Sequence, residues 1–236
     1  MTDRETLRQR IEDYTGRLND AGAKWGPVEL LGVTKTIDTE TINLSYEAGI
    51  RKIGENRVQE LMEKLPLLDP RFERHIIGRL QTNKVKYLIG NVSLIQSVDR
   101  LELAQEINRL SVKKQLVTDI LVQVSPAGEE QKGGIDPEAL DSLIAEINAM
   151  EGLRLRGLMA VMPKAESPED IRFMFTDMRR RFDALREKQA HIDILSMGMS
   201  ADCIVAAEEG ATMVRLGSAI YGARDYSKAI GGNTNP

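Results

Sequence analysis

The sequence predicts an α/β fold, a single (β/α)8 TIM barrel with one extra helix at its N-terminus. Three observations point there. Eight short apolar runs alternate with amphipathic stretches along 236 residues, and regular βα alternation implies a parallel sheet. The length suits one barrel of this kind. The turn after the first strand, Thr34-Lys35-Thr36, lacks the glycines that an open doubly wound sheet would want there for a phosphate. The open sheet stays as the alternative architecture.

Residues 3–24 read as the extra helix, because Leu7, Ile11, Tyr14 and Leu18 recur at helical spacing between charges. Gly26-Pro27 ends it, and the first strand follows at 28–34. Asp38 or Thr39 can cap a helix carrying Ile42, Leu44 and Ala48, which Gly49 ends. A brief strand, Arg51 to Gly54, leads into a helix opening at Glu55-Asn56-Arg57 and running through Met62. Pro66 and Pro70 mark the loop beyond it. The third strand is Arg74 to Ile77, followed by a helix from Thr82 to Leu88. The fourth, Asn91 to Gln96, precedes a helix capped by Asp99 and reaching Lys114. The fifth, Leu116 to Val124, is the longest β-branched run. Pro126 to Gly134 is a polar, glycine-rich loop, either a mobile lid carrying Lys132 or a plain surface turn. A helix from Pro137 to Met150 leads to the sixth strand, Leu153 to Leu158. A long charged helix covers 168–188, and the seventh strand is Ile192 to Leu195. A helix over 201–209 and the eighth strand, Thr212 to Leu216, complete the count. No stretch reads as an interdomain linker, so residues 1–230 are expected as one domain and 231–236 as a disordered tail.

Lys plus Arg total 32 and Asp plus Glu 36, a net charge of −4. That balance gives no electrostatic case for nucleic acid or an acidic membrane, and 4% aromatic residues leave few platforms for stacking bases. One cysteine, Cys203, excludes an internal disulfide and a cysteine-based zinc cluster. Two histidines, His75 and His191, are too few for a histidine-rich metal centre. The N-terminus is charged from Asp3 onward and no run is long enough to span a bilayer. The expectation is a cytoplasmic protein with no metal and no membrane or nucleic-acid partner.

In a barrel of this class the C-terminal strand ends share one mouth, where sites form. Lys35 stands there, where Leu30-Leu31-Gly32-Val33-Thr34 gives way to a loop. A lysine at the end of a core strand is costly unless its amine is paired, neutralised or covalently occupied, or snorkels to water. Arg215 lies inside the eighth strand, toward the same mouth. Gly217-Ser218 can offer backbone N–H groups and a hydroxyl to a phosphate. Ser200, at the start of the helix after strand seven, can join from the side or merely cap that helix. Together they suggest a phosphate-bearing aldehyde or ketone, since a lysine amine condenses with such a carbonyl to a Schiff base.

Seven stretches then carry a resemblance, in order, over nearly the whole chain. They are Val33-Thr34-Lys35, Gly54 to Glu60, His75 to Lys84, Gly128 to Lys132, Gly157-Leu158-Met159, Ser196 to Ser200 and Thr212 to Gly222. The chain resembles the pyridoxal phosphate homeostasis protein family, which is similar to the barrel domain of alanine racemase, the fold-type III class. The resemblance implies that Lys35 holds pyridoxal 5′-phosphate (PLP) as a covalent Schiff base and that Arg215 faces its pyridine nitrogen. It implies that Ser200, Gly217 and Ser218 hold the phosphate and that Asn56 lines the pocket. No catalytic residue is assigned. A permanently protonated arginine discourages a second proton on the ring nitrogen, which makes the cofactor a poorer electron sink. Racemisation then needs a second base. In alanine racemase that base is a tyrosine from a separate C-terminal domain of the partner subunit, whereas this chain stops soon after the eighth strand. Tyr14, Tyr46, Tyr87, Tyr221 and Tyr226 do not obviously supply one, though water or Lys84 could stand in.

The expected function is homeostasis of PLP and of amino and keto acids, by holding, buffering or delivering the cofactor to PLP-dependent apoenzymes. A monomer is expected. A PLP-dependent amino-acid racemase is the alternative; a Schiff-base aldolase for a phosphorylated sugar and a pure interaction protein stand behind it. Other residues read plainly. His75 is a satisfied core histidine or a ligand contact, and His191 is structural at the far end. Cys203 is a small buried hydrophobe. Met197 and Met199 pack near the ring or in ordinary core. Arg179-Arg180-Arg181 is a solvated helix face, and Tyr221 is packing rather than a catalytic tyrosine.

Overall fold

In the computed structural model of the chain, which describes residues 3–128 and 133–222, eight parallel strands close a barrel in sequence order. They are β1 (Glu29–Val33), β2 (Lys52–Glu55), β3 (Glu73–Ile76), β4 (Leu94–Val98), β5 (Thr118–Val124), β6 (Leu153–Ala160), β7 (Ile194–Ser196) and β8 (Met213–Leu216). Around them run α1 (Arg4–Ala21), α2 (Thr39–Glu47), α3 (Val58–Lys64), α4 (Leu101–Lys113), α5 (Leu140–Asn148), α6 (Arg172–Lys188), α7 (Cys203–Glu208) and α8 (Ser218–Tyr221). The (β/α)8 barrel expected from the alternating pattern is the fold observed. The expected tail at 231–236, and Lys132 and Tyr226, lie outside the described residues.

The strands read as apolar runs because both faces are covered. One face points into the barrel, where Leu31, Val33, Leu94, Leu121, Met159, Ile194 and Met213 form a buried cluster. The other meets the helices through Ile53, Ile76, Ile95, Ile120, Leu158, Leu195 and Val214. Alternation with period two assigns most strand residues to the barrel or to the helical shell; in β6 the parity changes between Leu155 and Leu158, both of which face the shell, where the pairing with β5 shifts register. α1 starts at Asp3, whose carboxylate accepts from Thr6 N at 2.8 Å. It buries Leu7, Ile11 and Leu18 and packs against α2, α7 and α8. It therefore fills the ring beside α8, which is too short to cover the barrel alone. Gly157 shows how tight closure is. A Cβ there would lie 1.9 Å from Ile194 O, at φ +148°, beside the register shift between Ile120 and Leu121.

Local signals and the structure part in several places. The helix expected from Thr82 is present, as a 3-10 helix over Thr82–Tyr87. Asp99 does not cap α4. The N-cap position is Arg100, with no side-chain cap, and Asp99 instead bonds Arg100 Nη1 at 2.6 Å. Ser200 neither starts nor caps the helix after β7, since α7 begins at Cys203 behind Asp202. Arg179 is more than a solvated face: its guanidinium stacks 4.1 Å over Trp25 and donates to Gly210 O at 3.0 Å, tying α6 to the turn before β8. No described helix is long and apolar enough to cross a membrane.

Candidate functional site

Leu31 and Val33 line the barrel, and the same parity carries Lys35 to the mouth just beyond β1. The backbone on both sides of Lys35 is pinned. Thr34 N donates to Gly54 O at 3.1 Å, and Thr34 O accepts from Lys64 Nζ at 2.7 Å. Thr36 N donates to Glu60 Oε1 at 2.6 Å. Thr36 sits in the left-handed region at φ 64°, a conformation disfavoured for a β-branched residue, so these bonds hold a strained turn. Lys64 Nζ also meets Glu55 Oε1 and Glu60 Oε1, each at 2.7 Å, while Thr34 Oγ1 donates to Glu55 Oε1 at 2.7 Å. Burial pushes the Glu55 carboxyl above the usual carboxylate range, and Lys64 opposes that rise. Lys35 itself is half-buried.

Arg215 stands on β8, the strand that closes the barrel against β1. It is level with Leu31 on the neighbouring β1, so Lys35, two residues past the end of β1, lies four residues (35 − 31) further along the chain toward the mouth. At about 3.3 Å per residue that is at most roughly 13 Å of backbone, a span two long side chains and one ring can bridge. Arg215 is 4% exposed. Nη1 donates to Ser196 Oγ at 2.8 Å and Nη2 to Ala160 O at 2.7 Å. Ser196 Oγ donates to Gln96 Oε1 at 2.7 Å, and Gln96 Nε2 meets His75 Nδ1 at 2.9 Å. Burial, helped by the Lys52 charge, pushes the His75 pKa down to about 3; burial lowers that of Arg215 to about 10. At neutral pH the histidine is neutral and the guanidinium charged. Burial raises the Asp202 carboxyl, opposed by the Met199 N–H bond and by Arg215.

Two loops flank this pair. Arg215 N donates to Gly198 O at 3.0 Å. Ser200 lies two residues past one end of that bond and Gly217 two past the other, so the β7 and β8 loops leave the barrel together. Gly217 is buried and precedes α8; Ser218 is exposed and Ser200 half-buried. Asn56 follows β2 on the far side of Lys35. Its Oδ1 is buried without a partner, as is Thr36 Oγ1. Gly78 makes that corner possible, because a Cβ on it would lie 2.3 Å from Asn56 O.

Tyr221 is not at the mouth. Its hydroxyl meets Ser45 Oγ at 3.1 Å and presses on Gly32 behind β1. Burial pushes that hydroxyl well up. His75 is a barrel-lining histidine satisfied by Gln96, whereas His191 is exposed. Cys203 is buried at the start of α7. Met197 packs in the helical shell and Met199 is exposed, so the two do not form a pair. Two open surface hollows, of about 410 and 350 Å³, involve Trp25 with Glu209 and Val117 with His191. They lie by the turns that precede strands, at the end opposite the mouth. Among the described residues no group of three or more His, Cys, Asp or Glu could hold a metal ion. Nothing in the local sequence links Gln96, Ser196 and His75, or Glu55, Glu60 and Lys64. The first set was visible as polar residues on barrel-facing positions.

Comparison with known proteins agrees with this architecture. The profile described as "Alanine racemase, N-terminal domain" matches residues 14–225. A pyridoxal phosphate homeostasis protein of Aquifex aeolicus is 44% identical over 224 residues, 94% of this chain and 98% of that protein. One from Escherichia coli K12 is 39% identical over 206 residues, covering 85% and 88%. Among solved structures, PipY of Synechococcus elongatus with PLP bound superposes with a TM-score of 0.81 at 28% identity, over 92% of this chain and all (100%) of that one. Alanine racemase of Clostridium difficile shares the fold, with a TM-score of 0.75 at 18% identity, over 96% of this chain and 58% of that one. The chain belongs to the alanine racemase N-terminal domain family and, within it, to the pyridoxal phosphate homeostasis proteins.

Proposed function

We propose that this protein binds PLP covalently through Lys35 and holds or delivers it, serving the homeostasis of vitamin B6 and of amino and keto acids. One observation carries the reading: a lysine two residues past the end of β1 and a buried guanidinium on the adjacent β8, beside two loops joined by one backbone bond. The donor set fits the cofactor. Lys35 supplies an amine for its aldehyde, and Arg215 a permanent donor for its ring nitrogen. Ser200, Gly217 and Ser218 supply hydroxyls and backbone N–H groups for its phosphate. Asn56 Oδ1 and Thr36 Oγ1, buried and unpartnered, are polar atoms such a ligand would satisfy. The relatives' name and the PLP-bound PipY structure support the same reading.

When bound, PLP supplies a reactive aldehyde carbon and an electron-withdrawing ring. The protein's groups favour retention over turnover. Arg215 can donate to the ring nitrogen but cannot protonate it readily, so the ring stays a weaker electron sink. Tyr221 is held behind β1 by Ser45. Tyr14, Tyr46 and Tyr87 are engaged by cations on the outer helical layer. A cytoplasmic monomer handing PLP to apoenzymes fits these features, with no catalytic residue and no metal required.

The test is the visible spectrum of the protein with PLP, before and after Lys35→Ala, with borohydride reduction and mass mapping. The expected result is a coloured protein with its reduced adduct on Lys35, colourless after the substitution. A colourless wild type, or an adduct on another lysine, overturns the proposal. Single-enantiomer amino acids incubated at high protein concentration should keep their handedness; interconversion would favour the racemase reading.

A further inference from the structure

The bonds behind Arg215 run in one direction only. A guanidinium can donate but not accept, so Ser196 Oγ must accept from Nη1 at 2.8 Å. The Ser196 hydrogen is then free to go forward to Gln96 Oε1 at 2.7 Å. That fixes the Gln96 amide, whose nitrogen faces His75 Nδ1 at 2.9 Å and Met213 Sδ at 3.4 Å. Both are acceptors, so neutral His75 carries its proton on Nε2. The chain crosses the barrel from β8 through β7 and β4 to β3, and Ser196, Gln96 and His75 are at most 2% exposed. The second anchor, Ala160 O on Nη2, stops the guanidinium from rotating about the first.

No member of this chain carries negative charge. A carboxylate is the usual partner of a buried arginine, yet among the described residues none bonds Arg215. The carboxylate it feels, Asp202, is occupied by Met199 N at 2.6 Å. Two strong bonds to neutral acceptors aim the side chain while leaving its charge uncancelled. The rest of its donor fork stays available to a ligand in the mouth.

We propose that Ser196, Gln96 and His75 are positioning residues, a neutral one-way relay that aims Arg215 so that the mouth selects a ring nitrogen bearing a lone pair. The inference rests on the PLP reading above and deepens it. Breaking the relay frees the guanidinium to turn; placing a negative charge in it gives Arg215 a competing partner. Either change lets the ring nitrogen of bound PLP take up a proton, which its visible band reports.

Gln96→Glu keeps the side-chain shape and adds the charge; Ser196→Ala removes the link touching Arg215. Each purified full-length variant is checked for folding by circular dichroism, loaded with PLP, and titrated through the neutral pH range. The wild-type band is expected to stay constant. In the variants it should shift with pH while borohydride still marks Lys35, and PLP should bind roughly tenfold more weakly, the equivalent of about 1.4 kcal/mol. If Gln96→Glu fails to fold, Ser196→Ala alone decides. A folded variant whose band stays pH-invariant overturns the relay, whether or not affinity falls, because lost affinity alone is what general loosening would give. A wild type with no Lys35 adduct overturns both the relay and the PLP reading, so the two failures are told apart by the wild-type control.

Discussion

Beneath Lys35 the protein sets charge against charge; beneath Arg215 it sets a guanidinium against neutral dipoles. On the β1–β2 side Lys64 lies between Glu55 and Glu60 at 2.7 Å from each and grips the backbone before Lys35. On the β7–β8 side Arg215 is held by a hydroxyl and a carbonyl. The difference teaches what each side is for. The first uses its charges on one another and produces a rigid turn. The second binds its guanidinium to a neutral hydroxyl and a carbonyl, the arrangement that the proposed contact with a ring nitrogen needs. A buried cation is tolerable in either setting only because every short contact around it is made.

The largest expected effect comes from breaking the charged side. Lys64→Met leaves Glu55 and Glu60 with no cation between them, and Glu55 is 1% exposed. Removing one partner of a buried pair costs about 3–5 kcal/mol. Urea unfolding should show a loss of that order. In a Glu55→Gln background the same substitution should cost clearly less, because one of the stranded charges is already gone. Equal losses in the two backgrounds would mean that Lys64 acts by packing, and the contrast between the two sides would dissolve.

Acid should separate the two sides by sign. His75 has its folded pKa lowered to about 3, against about 6.5 in an unfolded chain. The unfolded chain takes the proton first, so this stability is present above the unfolded value and lost as pH falls toward the folded one. The slope is at most about 1.4 kcal/mol per pH unit. Glu55 runs the other way. Its folded pKa is raised, so its contribution is full below the unfolded value of about 4.3 and is lost as pH rises through the folded one. Above the unfolded carboxylate value, while Glu55 still titrates and His75 has not yet passed its unfolded value, the two slopes oppose. His75→Gln should flatten the acid-side decline in unfolding free energy, and Glu55→Gln should steepen it. Two variants that change the slope in the same direction would contradict the assignment of one titrating group to each side.

Much of this architecture is legible in the sequence because strand patterning is local. Leu31, Val33 and Lys35 share a parity, as do Met213, Arg215 and Gly217, so the strands put both cations toward the barrel and its mouth. Strand ends are less legible. Asn91 reads as the start of β4, yet its carbonyl accepts from Arg74 Nε at 3.1 Å in the turn, and β4 begins at Leu94. Asp99 looks like a cap but has a guanidinium beside it. The relay is the least legible part, since Ser196 and Gln96 are 100 residues apart and nothing near either one names the other. Lys64 reads as an ordinary helix-end lysine until the barrel closes and brings Thr34 O over it. The roles at the mouth come from resemblance and chemistry, while their geometric support comes only from the closed barrel.

The smallest effect sharpens the contrast at its edge. Asp38 opens α2 three residues after Lys35, accepting from Thr41 N at 2.8 Å and from Thr41 Oγ1 at 3.0 Å. Asp38→Ala should cost about 1 kcal/mol, the usual value of such a cap, and Asp38→Asn only a few tenths, because the amide oxygen still accepts. Thermal unfolding of the two variants reads the difference. If Asn costs as much as Ala, the carboxylate's charge matters more than its acceptor, and the charged side of the mouth extends from Glu55 and Glu60 to a third carboxylate beside Lys35. If the two separate as expected, the acceptor oxygen that caps α2 accounts for most of what Asp38 contributes to stability.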